Sequence, residues 1–541
     1  MERDDQETFE RISEFADLSM WRQGLPGMVL GVTDRERTVF RSAKGLSEVA
    51  SGRPMDLDAL FQIGSVSKSF TCVALLQLAE RGVIDLRAPV REYLPWFSVK
   101  SRYSDITLHH LMTHTAGIML GSDATPTAWT EVWDLRESEA TCEPGTHFHY
   151  SNSGYKALGL VLETVSGKTY SEILREGIFD VAGMRSTEAV ITNSIRKRLA
   201  VAHLPTEDDR PYQRGADLSP APWFEGDTAD GSICAPLEDM LAYMRVLLNR
   251  GQGPWGQVLS SDSFKRMTTP YIEPDDMVHL GGYGYGLNIE TTDGHTRIGH
   301  TGGMVGHQTA MLMDMDSGVG AMVMVNGPGS PEEIAKFAVE SMVVSTDGGK
   351  RLEVPRREEA FRFRNAPDYA GDYGGPSGAL SVADREGTLH ITRDGHESRL
   401  EPLFGEAFLS DAPGLELFPL EFERIEGHVV RIHHGERTYA RDGSRTASVA
   451  PSKADGVRVD GHYRSHNPWL SNFRVVKRMD GLVFALPNEP SLPMVPLGDN
   501  LFRIGSDPRS PERIEFSCVI GGVATCATLA GGGRYGRTFT P

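Results

Sequence analysis

A serine followed three residues later by a lysine occurs more than once in the chain. Ser65 and Lys68 lie in FQIGSVSKSF, and Ser153 and Lys156 lie in SNSGYK. In a helix this spacing puts both side chains on one face, within reach of each other. A serine hydroxyl is a weak nucleophile until a base takes its proton, and a lysine can do so only where its surroundings lower its pKa from about 10.4. Because the spacing recurs, it does not identify a nucleophile by itself.

Two further short motifs contain groups that could assist a nucleophilic serine. In PGTHFHYSNSGY, Tyr150 and Asn152 are two residues apart, so in an extended stretch both side chains point the same way. In RIGHTGGMVGH, His300 precedes a threonine and two glycines, Gly302 and Gly303, which would let a substrate approach the backbone at a strand edge. Taken singly, each motif is more typical of a turn.

Hydrophobic periodicity predicts the elements that carry these residues. The apolar residues from about 60 to 92 repeat with a helical period and Gly82 is placed to end the helix, so Ser65 lies near a helix start. Elsewhere the patterns predict strands at 26–45, 282–290 and 310–326, the last a hairpin around DMDSG, and helices at 155–167 and 236–251. Strands at both ends with helices between them predict a mixed α/β (α+β) domain over residues 1–345.

The remaining third of the chain contains a weak internal repeat. GDYGG at 371 matches GHYRS at 461, and TYAR at 438 matches RYGR at 534, with an offset that grows from 90 to 96 residues. Turns that accept insertions between strands of constant length would produce this drift. We expect two small β modules, with the segments divided as follows: linker 346–365, first module 366–443, linker 444–456, second module 457–541.

Composition and charge exclude several functions. The formal net charge of -19 would repel a phosphate backbone, and no basic patch offsets it, so nucleic acid is not an expected partner. The charged start MERDDQETFERISEF lacks a signal peptide, which predicts a cytoplasmic protein. The uncharged run 516–533 is interpreted as two buried strands joined by IGG and not as a membrane span. Five cysteines without metal-binding spacing are expected to be reduced core residues, and neither a metal nor a cofactor is expected: Cys72, Cys142, Cys234, Cys518 and Cys526.

The three motifs, in this order and with their flanking residues, resemble the penicillin-recognising serine hydrolases related to class C β-lactamases. The resemblance covers roughly residues 20 to 345 and rests on FQIGSVSKSF, ITLHHLMTHTAGI, the PG and YSN of PGTHFHYSNSGY, and GHTGGMVGH. It implies a β-lactamase-like domain in which Ser65 is the nucleophile, Lys68 its proton acceptor and Tyr150 a general acid/base. Which of Lys68 and Tyr150 is the base in acylation stays open.

The same resemblance assigns the remaining site residues. Asn152 would hold Lys68 and the substrate amide, and the backbone N–H groups of Ser65 and Gly303 would bind the oxyanion. His300 and Gly302 would line the substrate site. The second pair, Ser153 and Lys156, is interpreted as structural.

The sequence departs from the β-lactamases where those enzymes carry a lysine. His300 stands there instead, and a histidine with a pKa near 6.5 is largely neutral at pH 7.5, which weakens the case for a substrate carboxylate. Together with the cytoplasmic start and the two β modules, His300 makes the chain look like the D-aminopeptidase branch. That branch carries two eight-stranded antiparallel barrels, and a loop of the second reaches the active site. Linearised-microcystin peptidases, of similar length, also act at a D-residue, but no motif singles them out.

The sequence therefore predicts a serine hydrolase that cleaves amide bonds at D-amino acids through an acyl-Ser65 intermediate. The alternatives are an esterase, or a β-lactamase or D-alanyl-D-alanine carboxypeptidase of the same fold. A non-catalytic binding protein is disfavoured because Ser65, Lys68 and Tyr150 are all present. The expected partner is a peptide or small amide or ester substrate, without nucleic acid or membrane, and a homodimer is left open.

Overall fold

The fold was analysed in a computed structural model, which describes residues 2–121, 127–275, 281–347, 349–363, 365–442 and 456–538. The chain forms two compact units. The first comprises residues 1–204 and 218–354, and the second comprises residues 205–217 and 355–541. Residues 444–455 of the predicted second linker lie outside the described residues.

The first unit is built on an antiparallel sheet of eight strands. The strands are, in chain order, β1 (Gly27–Thr33), β2 (Thr38–Glu48), β3 (Arg53–Pro54), β4 (Gly282–Tyr283), β5 (Asn288–Thr292), β6 (His295–Met304), β7 (His307–Asp314) and β8 (Val319–Val325). Their order in the sheet is β4-β5-β6-β7-β8-β1-β2-β3. The hairpin predicted around DMDSG is confirmed, since Asp314 of β7 pairs with Val319 of β8.

Helices cover both faces of this sheet. The side chains of β1 point alternately to one face and to the other, and each set packs against helices. Met28, Leu30 and Val32 belong to a core shared with the first and last long helices of the unit. A Cβ added to Gly31 would instead meet Leu241 of a helix on the other face. The longer helices are α1 (Glu2–Gln23), α2 (Ser67–Glu80), α3 (Ala128–Asp134), α4 (Asn152–Ser166), α5 (Leu237–Leu248) and α6 (Glu332–Asp347).

The first unit also contains shorter helices and strands. The short helices are Gly64–Val66, Val90–Tyr93, Leu108–Met112, Leu135–Glu137, Tyr170–Leu174, Arg175–Phe179, Asp180–Ala182, Asn193–Ile195 and Ser261–Met267. Three small ladders join Phe61–Gln62 to Cys234–Ala235, His203–Pro205 to Leu218–Pro220, and Gln252–Gly253 to Gly256–Gln257. The predicted helices at 155–167 and 236–251 are confirmed in substance by α4 and α5.

The first β module is an antiparallel sheet of nine strands that nearly closes. Its strands are β9 (Gly371–Gly375), β10 (Gly378–Arg385), β11 (Thr388–Arg393), β12 (His396–Arg399), β13 (Glu401–Phe404), β14 (Ala407–Leu409), β15 (Leu420–Ile425), β16 (His428–His434) and β17 (Arg437–Arg441). The sheet order is β12-β11-β10-β9-β17-β16-β15-β14-β13. The two terminal strands are consecutive in the chain and are separated only by Leu400, which is buried.

The second β module is a closed barrel of eight antiparallel strands. They are β18 (Gly461–Arg464), β19 (Asn472–Arg478), β20 (Gly481–Ala485), β21 (Leu492–Pro496), β22 (Leu501–Ile504), β23 (Arg513–Ile520), β24 (Val523–Leu529) and β25 (Arg534–Arg537). Pairing of β18 with β25 closes it.

The internal repeat corresponds to equivalent contacts in the two modules. The buried Tyr373 donates its hydroxyl to the carbonyl oxygen of Tyr369 at 2.6 Å, and the buried Tyr463 donates to that of Val459 at 2.8 Å. The guanidinium groups of Arg441 and Arg537 lie 5.9 Å from the ring centres of these two tyrosines. The two antiparallel β modules expected from the repeat are thereby confirmed.

Residues 516–533 form β23, β24 and the turn after β24, as predicted, but the strands are only half-buried. Val519 and Ile520 are exposed at the end of β23, and so is Cys518, whereas Cys526 is intermediate. A hairpin at a barrel end has no second layer to cover it, so the prediction that both strands and all five cysteines are buried was wrong for these residues. Within the described ranges, no helix combines the length and apolar character needed to cross a bilayer.

Residues 205–217 leave the first unit and pack within the second one. The carboxylate of Asp208 accepts hydrogen bonds from Arg464 at 2.6 Å and from Ser471 at 2.7 Å, both in the second module. Gln213 donates to the carbonyl oxygen of Ser410 at 2.9 Å, in the first module. We refer to residues 205–217 as the excursion. The domain boundaries given above stay predictions, with the excursion assigned to the second unit by its packing.

Candidate active site

Ser65 lies in a single 3-10 turn, Gly64–Val66, that leads directly into α2. The turn requires a glycine, since Gly64 has a φ of 54° and a Cβ there would lie 2.7 Å from the backbone nitrogen and oxygen of Gly303. A side chain at position 64 would therefore be strained and would push the turn away from β6. This close approach sets the serine directly beside the glycine motif of β6.

The amine of Lys68 joins the separate motifs. Lys68 is fully buried, and its Nζ lies 2.9 Å from Ser65 Oγ, 2.8 Å from Asn152 Oδ1 and 2.9 Å from the carbonyl oxygen of Asp230. Its position one helical turn after Ser65 confirms that the two side chains share a face. The structure thus brings together the nucleophile candidate, its candidate base and the asparagine of the second motif.

The chemistry of these three oxygens constrains how Lys68 can act. The amide oxygen of Asn152 and the carbonyl oxygen of Asp230 can only accept hydrogen bonds, whereas a hydroxyl can also donate. An ammonium group at Nζ would use one N–H on each oxygen. A neutral amine would keep two N–H groups on the carbonyl oxygens and direct its lone pair at Ser65 Oγ, which is the geometry for taking the serine proton.

Tyr150 and Asn152 face Lys68 as predicted, although their local structure is different from the extended stretch expected. Asn152 is the first residue of α4, and the hydroxyl of Ser151 caps the helix by accepting from the N–H of Gly154 at 3.1 Å. The centre of the Tyr150 ring lies 4.9 Å from Lys68 Nζ. Tyr150 therefore reaches the amine from outside the helix that carries Asn152.

His114 supports the ring of Tyr150. The two rings stack with their centres 4.1 Å apart, and His114 Nδ1 accepts a hydrogen bond from the backbone N–H of Ser151 at 3.0 Å. That bond orients the imidazole and fixes the residue that follows Tyr150. His114 has a φ of 56°, a rare conformation that marks a precisely positioned residue.

The glycine motif forms the other wall of the site. β6 pairs with β5 only as far as Gly299, so residues from His300 to Met304 pair with β7 alone, as the predicted strand edge requires. A Cβ on Gly302 would lie 2.0 Å from the carbonyl oxygen of Ile63, which also accepts from Thr309 Oγ1 at 2.9 Å. These contacts place the backbone of Gly303 next to the turn that bears Ser65.

His300 is buried and held by protein atoms on both sides of its ring. Nδ1 lies 2.5 Å from the carbonyl oxygen of Thr301, so it carries the proton, and Nε2 accepts from the hydroxyl of Tyr283 at 3.0 Å. Tyr283 is fully buried, and burial raises its pKa well above its usual value, so it remains a donor. The imidazole therefore forms part of the site wall next to Tyr150, and its contact with substrate stays a prediction.

The second serine–lysine pair is structural, as expected. Ser153 donates to one oxygen of Glu131 at 2.7 Å, and Lys156 donates to the other at 2.8 Å. All three side chains are buried. A lysine that pairs with a carboxylate is held as an ammonium and cannot act as a base, so this pair connects α4 to α3 instead.

Three residues that contribute to the site were not predicted from the sequence. Asp230 contacts Lys68 through its backbone, which leaves no signature in residue type. Tyr283 lies in a segment predicted only as a strand. His114 lies in ITLHHLMTHTAGI, where the match to the family motif could have drawn attention to it.

Comparison with known proteins agrees with this geometry. A family model described as Beta-lactamase matches residues 8–340, which contain every predicted site residue. A D-aminopeptidase of Cereibacter sphaeroides is 27% identical over 424 residues, covering 70% of this chain and 76% of the relative. Penicillin-binding protein 4 of Amycolatopsis lactamdurans is 27% identical over 320 residues, covering 56% of this chain and 81% of the relative.

A solved structure shares the fold. The octameric penicillin-binding protein homologue from Pyrococcus abyssi superposes with a TM-score of 0.59 at 23% identity, covering 80% of this chain and 99% of its own. The chain therefore belongs to the beta-lactamase family of serine hydrolases.

Proposed function

We propose that this protein hydrolyses amide bonds at D-amino acids in short peptides or amino acid amides through an acyl-Ser65 intermediate. The observation that carries the proposal is the position of Lys68 Nζ between Ser65 Oγ and two acceptor oxygens. Similarity to D-aminopeptidases over 70% of the chain supports the substrate class.

The reaction would proceed in two steps. Ser65 Oγ attacks the amide carbonyl while its proton passes to Lys68 or Tyr150, and the oxyanion is held by the backbone N–H groups of Ser65 and Gly303. Tyr150 returns a proton to the leaving amine, which departs and leaves an ester on Ser65. A water molecule, activated by the same groups, then hydrolyses that ester. Asn152 holds the amine of Lys68 in position during both steps.

The structure favours an amide with little dependence on a carboxylate beside the scissile bond. A histidine is not a fixed cation at neutral pH as a lysine is, and both ring nitrogens of His300 face protein oxygens, of Thr301 and Tyr283. β-Lactam and D-alanyl-D-alanine substrates carry such a carboxylate, and for them a lysine at this position is the suited partner.

The chain offers a matched control for the nucleophile, because Ser153 and Lys156 repeat the spacing of Ser65 and Lys68. Ser65→Ala should abolish both turnover and labelling by a fluorophosphonate, and intact-mass and peptide mass spectrometry should place the wild-type adduct on Ser65. Ser153→Ala should keep the adduct and the activity but lower the free energy of unfolding by about 1.5–3 kcal/mol, since it removes a buried hydrogen bond to Glu131. An adduct on Ser153, or full activity in Ser65→Ala, contradicts the assignment.

A substrate panel tests the proposed specificity. It comprises D- and L-alanine p-nitroanilides, p-nitrophenyl acetate, a chromogenic cephalosporin and linearised microcystin. The proposal expects a higher kcat/KM for the D-anilide than for the L-anilide and the cephalosporin. If only the ester is turned over, the esterase alternative is correct.

A further inference from the structure

Asp230 is a buried acidic residue whose backbone contacts the candidate base, Lys68. Asp230 lies in a tight turn in which the N–H groups of Gly231 and Ser232 donate to the carbonyl oxygen of Thr228. The residue is only 7% exposed, and its Oδ1 is shielded from solvent. Within the described residues, no hydrogen bond or ion pair involves this carboxylate, and Oδ1 has no partner.

An unpaired carboxylate that is buried to this extent is costly, and proteins normally place a cation or several N–H groups against it. Another buried acid of the first unit follows that rule, since Glu131 is paired with Lys156 and bonded to Ser153. Lys68 does not serve Asp230 in the same way, because its Nζ contacts the backbone oxygen of Asp230 and two other oxygens. Within the described residues, the protein therefore provides no partner for Oδ1 of Asp230.

The turn that carries Asp230 adjoins the reacting serine. Two hydrogen bonds through Lys68 Nζ connect the backbone of Asp230 to Ser65 Oγ, each 2.9 Å long. A Cβ added to Gly231 would lie 3.8 Å from Gly64 Cα and 3.5 Å from Met304 Sδ. The turn that carries Asp230 is therefore bonded to Lys68 and lies close to the turn that bears Ser65. In an acyl-enzyme formed from an amino acid, the α-nitrogen is three bonds from Ser65 Oγ.

We propose that the carboxylate of Asp230 binds the free α-ammonium group of the substrate. This inference rests on the proposed function and adds to it the requirement for an unblocked amino terminus. The ligand supplies the cation that the protein leaves out, so the ion pair forms only in the complex. N-acylated peptides bring a neutral amide to the same place and leave the carboxylate unpaired, which excludes them.

The test compares D-alanine p-nitroanilide with its N-acetyl derivative in wild type and in Asp230→Asn. The wild type should prefer the free amine by at least about tenfold in kcat/KM, and Asp230→Asn should bring the ratio near one. The ratio is the readout because any effect of the substitution on Lys68 acts on both substrates alike. Asp227→Asn removes the same charge from an exposed position three residues earlier and should keep the preference.

A second measurement does not depend on the turnover of D-amides. Hydrolysis of p-nitrophenyl acetate is inhibited with n-butylammonium chloride and with n-butanol, which differ mainly in charge. The ammonium ion should inhibit the wild type at a concentration at least about tenfold lower than the alcohol, and Asp230→Asn should lose that difference.

The outcomes separate the two proposals. If D-anilides are not turned over but butylammonium inhibits through Asp230, the substrate class is wrong and the ammonium site stands. If D-anilides are turned over with equal efficiency in free and acetylated form, or if Asp230→Asn keeps the wild-type ratio, Asp230 does not bind the ammonium group and the inference is overturned.

Discussion

At the scale of single residues, the site depends on which oxygens surround one amine. Lys68 Nζ contacts the hydroxyl of Ser65 together with two oxygens that can only accept, so the direction of proton transfer is set by the neighbours. The ring of Tyr150 lies 4.9 Å away and stacks on His114. The ring of Tyr150 thus lies next to the amine of Lys68, and we expect the two candidate proton carriers to act as a unit.

Lys68→Ala and Tyr150→Phe should each lower kcat by a factor of about 10² to 10⁴, because each removes a group that moves the serine proton. Since the two act together, the double variant should be little worse than either single variant. The kcat of each of the three variants is measured in the steady state with a D-anilide as substrate. Losses that multiply in the double variant would show that the two groups serve separate proton pathways.

Site residues that act through their side chains could be predicted from the sequence. A residue that acts through its backbone could not. Ser65, Lys68, Tyr150 and Asn152 are recognisable by type and spacing, and they converge in the structure. The contact from Asp230 to Lys68 uses a carbonyl oxygen that every residue possesses. The hydroxyl that faces His300 Nε2 likewise belongs to Tyr283, which is seventeen residues away and is brought close by the pairing of β5 with β4 and β6.

At the scale of elements, the site depends on the close approach of β6 to the turn before α2. Gly302 lacks space for a side chain, because a Cβ would lie 2.0 Å from the carbonyl oxygen of Ile63. Gly226 is a matched control in the same unit, since its Cβ would meet only Ile191 at 3.9 Å and its φ is not positive.

Gly302→Ala should force β6 away from the turn and lower kcat by about 10²-fold, the cost of displacing reacting groups by roughly an ångström. Gly226→Ala should keep kcat near the wild-type value. Both are measured with the same anilide, and the melting temperature of each variant reports on the fold. Wild-type kcat in Gly302→Ala would mean that β6 does not position the reacting groups.

A buried histidine links β7 to the strand that leads into the same turn. His307 Nδ1 accepts from the N–H of Gln62 at 3.3 Å, and Nε2 donates to the carbonyl oxygen of Ala200 at 3.0 Å. Burial lowers its pKa from 6.5 to about 4, so the folded protein keeps it neutral where the unfolded chain would be protonated. Its stabilising effect is complete above pH 6.5 and is lost as the pH falls toward 4.

His307→Gln should flatten this pH dependence, since an amide can accept from Gln62 and donate to Ala200 without titrating. Between pH 7.5 and 4, wild type should lose about 3 kcal/mol more of its unfolding free energy than the variant does. Urea denaturation of wild type and of His307→Gln at the two pH values measures these losses of unfolding free energy. Identical losses in the two proteins would show that His307 does not cause the sensitivity to acid.

Elements whose pattern is local were predictable, whereas partners distant in sequence were not. The helix after Ser65 and the hairpin at Asp314 follow from periodicity and turn residues, and the structure has both. The 3-10 turn at Gly64 arises from contact with β6, more than two hundred residues later. A pattern within one segment contains no information about such a neighbour.

At the scale of the whole molecule, the chain passes between its two units three times. The excursion is held within the second unit, where Asp208 is bonded to Arg464 and Ser471, and the N–H of Tyr212 donates to Asn488 Oδ1 at 3.1 Å. The sequence predicted two modules after the hydrolase domain, but it contained no sign that thirteen earlier residues complete them, because charged residues in a polar stretch are typical of any loop.

Asp208→Asn should loosen the excursion without changing the chemistry at Ser65. It removes the charge from bonds to a half-exposed arginine, which costs about 1 kcal/mol after solvent screening. Limited proteolysis should then cut within residues 206–217 faster than in wild type, at unchanged kcat. Asp217→Asn, an exposed acid at the end of the same segment, should leave the cleavage rate as it is. Equal cleavage rates in Asp208→Asn and wild type would contradict this role.

The excursion also determines the order in which the molecule can be completed during synthesis. Asp208 and its partner Arg464 are 256 residues apart, so at the usual speed of translation the arginine follows the aspartate by about 13 to 50 s. From the synthesis of residue 325 onward, the growing chain contains Ser65, Lys68 and all strands of the main sheet, while Asp208 still lacks its partner Arg464. The excursion of this protein therefore reaches its native contacts only after the second β module has been synthesised.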